Sequence, residues 1–292
     1  MKKLNPTIYN TNYNPTWCPG CGNFGIWTAL KNALAELGIE PRNLVIVYDI
    51  GCIGNMASTI KCYGFHSLHG RALPVAVGVK LANPKLTVLA IAGDGGAYGE
   101  GTNHFIHSAR YNSDVLFLVA NNRSFSLTTG QASPTSDLGF VTKTTPFGEV
   151  KQPINPIALS LSSGASFVAR GVAFEPKDLT EIIKQAIQHK GFSHIDILQQ
   201  CVTLNKVNTI DWYKKRIYKL RNNKTNNLKL AFDKALETEK IPVGVFYKKD
   251  KKTYGENLSR NSIESFRDFS SEVCAVEQKI EFDKKSLLKE YK

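Results

Sequence analysis

The amino-acid sequence predicts an α/β domain built on a mostly parallel sheet with helices on both faces. Two observations carry this reading. Apolar runs of strand length alternate with helical stripes over the first 200 residues. The central runs are apolar throughout rather than alternating, as strands covered on both faces must be.

The elements follow in order. From Gly22 to Leu37, apolar residues at Ile26, Leu30, Leu34 and Leu37 form a helical stripe that Gly38 ends. The segment 44–48, Leu-Val-Ile-Val-Tyr, reads as a buried strand. Ala72 to Leu81 is an Ala-rich helix stopped by Asn83-Pro84. The run 86–92 is a central strand, Asn103 to Tyr111 a helix, and 115–119 a further central strand. Between Arg123 and Pro156, Thr, Ser, Gly and Pro dominate without a period, which predicts a long functional loop. Residues 167–169 form a short strand, and Pro176 to Lys190 an amphipathic helix ended by Gly191. Residues 195–198 are the last clear strand. Beyond Asp211 the pattern weakens, so the organisation expected is a domain over 1–210 followed by a basic extension over 211–292.

A chain of 292 residues with 42% hydrophobic and 21% charged residues has the composition of a soluble globular protein. It holds no run of the roughly 20 apolar residues that a membrane helix needs. Polar residues follow Met1-Lys2-Lys3 where a signal peptide would be apolar, so the expected location is the cytoplasm. The formal charge is +12, and residues 206–292 carry 21 basic against 13 acidic residues. That excess favours acidic partners. No zinc-finger spacing or aromatic-interleaved RNA signature accompanies it, so nucleic acid is a poor candidate.

Gly93-Asp94-Gly95-Gly96 directly follows a buried strand, where open parallel sheets bind ligands. Glycines there let the backbone approach a phosphate, and a carboxylate among them suits Mg²⁺. The next strand ends in Asn121-Asn122. A GDG alone is weak. With Asn-Asn about 28 residues later, each after its own strand, it becomes moderately specific.

This pairing resembles the thiamine-diphosphate fingerprint. Trp17-Cys18-Pro19-Gly20-Cys21-Gly22, His69-Gly70-Arg71, 80–84, 103–105 and the Leu127–Thr135 run resemble the β subunit of 2-oxoacid:ferredoxin oxidoreductases, over roughly Tyr13 to Asn205. The resemblance implies a thiamine-diphosphate-binding fold in which Asp94, Asn122 and the carbonyl of Ser124 hold Mg²⁺. Gly93, Gly95 and Gly96, with Gly51 and Cys52, would then contact the cofactor.

Six cysteines in such a chain argue for metal or redox chemistry rather than disulfides. Cys18 and Cys21 open the first helix, Cys52 follows the first strand and Cys201 the last. Four thiolates suit either Zn²⁺ or a [4Fe–4S] cluster, and spacing alone slightly favours zinc. The resemblance implies the cluster. Cys62 and Cys274 match no ligand position.

The implied activity is CoA-dependent oxidative decarboxylation of a 2-oxoacid, with electrons passed through the cluster to ferredoxin. The glutamate that activates the cofactor would come from an α (or α/γ) partner subunit, so Glu100 is not assigned that role. His69 and Arg71 are the candidates for orienting the substrate carboxylate. His104 and His107, one helical turn apart, are weak metal candidates. Three departures from the family pattern stand out: Gly96 where relatives often have Asp, Asn55 where some have Lys, and Phe125 where Tyr is usual. The competing readings are a non-oxidative thiamine-diphosphate lyase with structural zinc, and a basic nucleic-acid-binding protein. The identity of the 2-oxoacid is not readable.

Overall fold

A computed structural model describes residues 3–221 and 224–258. Eight strands form one sheet: β1 (Leu44–Tyr48), β2 (Tyr63–His66), β3 (Thr87–Gly93), β4 (Leu116–Asn121), β5 (Phe167–Val172), β6 (Ser193–Leu198), β7 (Ile217–Lys219) and β8 (Ile241–Lys248). Their order is β2-β1-β3-β4-β6-β5-β8-β7. Every pairing is parallel except β5 with β8.

Both faces of the sheet are covered, and the strand period of two assigns residues to each. On β1, Leu44, Ile46 and Tyr48 join one apolar cluster while Val45 and Val47 join the other. β3 divides the same way, Leu89 and Ile91 against Val88, Ala90 and Ala92. The first face is packed by α1 (Asn23–Glu36) and α5 (Pro176–Gln188). The second is packed by α2 (Ala72–Ala82), α3 (Thr102–Tyr111), α4 (Pro156–Ser162) and α6 (Leu228–Ala235). This is the α/β architecture that the continuous apolar runs predict.

The unit that ends at Gly255 contains all eight strands. The sheet therefore runs on into the basic segment after residue 211, where the sequence pattern assigns no element. The register of β5 with β8 shifts between Val168 and Ala169. Cys274 and the rest of residues 259–292 lie outside the described residues. Among the described residues no helix is long and apolar enough to cross a membrane.

Candidate active site

The carboxyl ends of β1, β3, β4 and β6 meet along one edge of the sheet, and each releases a chemically active segment. β3 ends at Gly93, and Asp94 follows at once, leading into a π-helical turn over Gly96–Glu100. β4 ends at Asn121, beside β3, with Ala120 in register with Gly93. Asp94 and the Asn pair therefore face each other because their strands are neighbours.

Asp94 is 1% exposed. Burial pushes its carboxyl up to about 6, against hydrogen bonds from Ser133 and Thr135 that favour the anion. Thr135 Oγ1 lies 2.7 Å from Asp94 Oδ2 and 2.8 Å from Asn121 Oδ1. One hydroxyl proton cannot serve both acceptors, so oxygen acceptors outnumber donors here. The two asparagines divide. Asn121 Nδ2 donates to Asp196 Oδ1 and is fixed in the interior. Asn122 lines the cleft, and its Oδ1 accepts from the Ser124 amide at 3.0 Å. The oxygens of Asp94, Asn122 and Ser124 form a hard donor set, which suits Mg²⁺.

The glycines fit close approach. A Cβ on Gly95 would stand 2.1 Å from the Phe125 ring, and one on Gly96 would stand 1.9 Å from Asp49 Oδ2. Gly51, at φ 143°, makes the turn that leads into Cys52. Gly51, Cys52, Gly93, Asp94, Asn122 and Ser124 all line one cleft, together with His69 and Phe125.

Four cysteines gather beside that cleft. Burial comes first in raising the Cys52 thiol to about 11, followed by the neighbouring Cys21, Cys201 and Cys18. Burial likewise raises Cys21, and Cys201 and Cys18 add to it, while the Asn23 amide opposes the rise. Gln199 Nε2 donates to Cys21 Sγ, and Ser126 Oγ and the Leu204 amide donate to Cys201 Sγ, at 3.3–3.4 Å. Cys62 stands apart beside Tyr48. Among the described residues no three His, Cys, Asp or Glu side chains close round a single metal ion.

The other sequence candidates separate. His69 lies between Asp49 and Glu100, with Nε2 3.2 Å from Glu100 Oε2. Arg71 is exposed and donates to the Glu100 carbonyl at 2.8 Å, outside the cleft lining. Burial holds His104 below the usual histidine range. Asp49, Ser133, Thr135 and Gln199 are site residues that the sequence reading misses. A lone Asp at the end of a buried strand is the one signal that could have found Asp49.

Residues 49–197 match the family model for the thiamine pyrophosphate enzyme C-terminal TPP binding domain. Residues 201–283 match the model for the C-terminal part of the pyruvate ferredoxin oxidoreductase beta chain. The chain is 43% identical to the 2-oxoacid:ferredoxin oxidoreductase subunit beta of Saccharolobus solfataricus, covering 94% of this chain and 95% of that one. This chain belongs to the 2-oxoacid:ferredoxin oxidoreductase β-subunit family. It is also 44% identical to the 2-oxoglutarate oxidoreductase subunit KorB of Mycobacterium tuberculosis, over 65% of this chain and 51% of that one. A solved 2-oxoglutarate:ferredoxin oxidoreductase from Magnetococcus marinus, with 2-oxoglutarate, coenzyme A and succinyl-CoA bound, superposes with a TM-score of 0.87 at 35% identity. That match covers 100% of this chain and 97% of the other. This β subunit is therefore an oxidoreductase subunit that works within a complex, and the cleft lies in its thiamine-diphosphate enzyme domain.

Proposed function

We propose that this β subunit holds thiamine diphosphate through Mg²⁺, beside a [4Fe–4S] cluster, in an enzyme that oxidatively decarboxylates a 2-oxoacid with coenzyme A and reduces ferredoxin. The observation that carries this reading is one cleft with two kinds of donor on its walls. Asp94, Asn122 and Ser124 supply oxygens, while Cys52 opens on the same space and Ser126 bonds Cys201 from it.

When bound, thiamine diphosphate supplies the electron sink for cleaving the carboxylate from the 2-oxo carbon, and the cluster accepts single electrons. The chain's own residues do the rest. Asp94, Asn122 and the Ser124 carbonyl hold the ion. The backbone at Gly93, Gly95 and Gly96, with Gly51, admits the diphosphate closely. Cys18, Cys21, Cys52 and Cys201 hold the cluster, and N–H and O–H donors to their sulfurs steady the thiolates.

His69 faces the reactant carboxylate from the cleft wall. Arg71 braces the turn through the Glu100 carbonyl. Asp94 is the only carboxylate among the described residues lining the cleft, which supports a partner α (or α/γ) subunit as the source of the activating glutamate.

The test is anaerobic co-purification with the partner subunit. About four irons and four sulfides per β chain are expected, with visible absorbance bleached by a 2-oxoacid plus coenzyme A. Stoichiometric zinc in a colourless complex would overturn the redox assignment.

A further inference from the structure

Asp49 closes off β1, and nothing in the chemistry above uses it. Its carboxylate is 1% exposed. Oδ1 accepts from the amides of Ile50, at 2.8 Å, and Gly70, at 2.7 Å. It also lies 3.6 Å from Nδ1 of His69, within ion-pair reach and beyond hydrogen-bond distance. Oδ2 has no hydrogen-bond partner, and neither does His69 Nδ1. Two buried polar atoms without partners, one on each of two neighbouring side chains, require an explanation, because such atoms are few in a folded protein.

Gly96 supplies part of that explanation. A Cβ at this position would stand 1.9 Å from Asp49 Oδ2 and 3.2 Å from His69 Cε1. The missing side chain on the diphosphate turn is what gives the pair its room. On its far side the imidazole meets Glu100 Oε2 at 3.2 Å. The ring is thus flanked by two carboxylates, one from the end of β1 and one from the turn after β3, while it lines the cleft.

We propose that Asp49 is a positioning residue. Through the gap left at Gly96 it sets the orientation of His69, the imidazole that faces the reactants. The proposal rests on reading the cleft as the thiamine-diphosphate site.

A purely structural role is the competing explanation, since the two Oδ1 bonds tie the segment leading to Cys52 to the segment carrying His69. The two roles separate by chemistry. Asp49→Asn retains an oxygen for the Ile50 and Gly70 amides. Its second group becomes a neutral N–H₂, so the backbone ties are kept while the negative charge beside the imidazole is removed.

The experiment uses the enzyme assembled with its partner subunits, carrying Asp49→Asn, His69→Gln or both. Turnover and KM for the 2-oxoacid are measured on each loaded enzyme, together with iron content. On the cofactor-free complex, thiamine-diphosphate affinity is measured by calorimetry. The rate of His69 carbethoxylation by diethyl pyrocarbonate is read there by mass spectrometry.

Asp49→Asn should lower kcat about tenfold or more, the size of a charge-assisted contact. Iron content and thiamine-diphosphate affinity should be preserved, and the His69 modification rate should rise. On the His69→Gln background the Asp49 change should add no further loss. Multiplying losses in the double variant, an unchanged modification rate, or loss of iron or cofactor binding would each overturn the proposal. Failure of the underlying reading looks different, because then the unmodified complex itself would neither bind thiamine diphosphate nor turn over a 2-oxoacid.

Discussion

Asn121 donates through Nδ2 to the Asp196 carboxylate at 2.9 Å, while the next residue, Asn122, opens on the cleft. Asp196 also takes Arg170 Nε at 3.1 Å and lies 3.2 Å from the Tyr98 hydroxyl. Two consecutive asparagines at a strand end thus have opposite duties. Asn121→Ala should cost about 1–3 kcal/mol of stability, because it removes a donor from a buried carboxylate. Asn122→Ala should lose Mg²⁺-dependent thiamine-diphosphate binding with a smaller drop in Tm. Calorimetric titration beside thermal unfolding separates the two, and equal binding by both variants would refute the division.

Alanine at Cys18, Cys21, Cys52 or Cys201 should strip iron from the anaerobically purified complex, whereas Cys62→Ala should leave it intact. Iron analysis decides between them. Retained iron in any of the first four variants removes that residue from the ligand set.

His194 is fully buried, and its pKa is pushed down to about 4, chiefly by burial. Its unfolded value is near 6.5, so below that pH the unfolded chain takes up a proton that the folded chain refuses. Stability is undiminished above about pH 6.5 and falls as the pH drops towards 4, by at most about 3 kcal/mol. His194→Gln should flatten that fall, although it sacrifices stability at neutral pH by disturbing the 2.9 Å contact with the Tyr98 hydroxyl. Thermal unfolding at a series of pH values is the measurement.

If the basic surface meets an acidic ferredoxin, raising the ionic strength should slow ferredoxin reduction while leaving thiamine-diphosphate binding little changed. A rate independent of salt would remove charge from the account of that encounter.

The inner strands are legible because they are apolar on both faces. β1 at Leu44–Tyr48 and β3 at Thr87–Gly93 coincide with the runs seen in the sequence to within one residue at either end. β2 is not legible, since all four of its residues are exposed and it lies at the sheet edge, so burial leaves no pattern. β8 is hidden by Pro242 and Gly244 inside its run, and by the lysines around it. Asp94, the asparagine pair and the cysteine positions carry local signatures at strand ends. Ser133 and Thr135 reach Asp94 from about 40 residues away. Nothing in their own neighbourhood marks that contact, because proximity of this kind belongs to the tertiary structure.

The antiparallel pairing of β8 with β5 has a consequence for the order in which this chain can mature. β5 ends at Val172 and its covering strand begins at Ile241, so synthesis from the amino end leaves one rim of the sheet uncovered while the intervening segment is made. An uncovered rim of hydrogen-bonding groups can pair with any passing strand. Every residue assigned to the cleft and the cysteine group, up to Cys201, precedes Ile241, so the nascent polypeptide carries its site residues while one rim of its sheet is still open to aggregation.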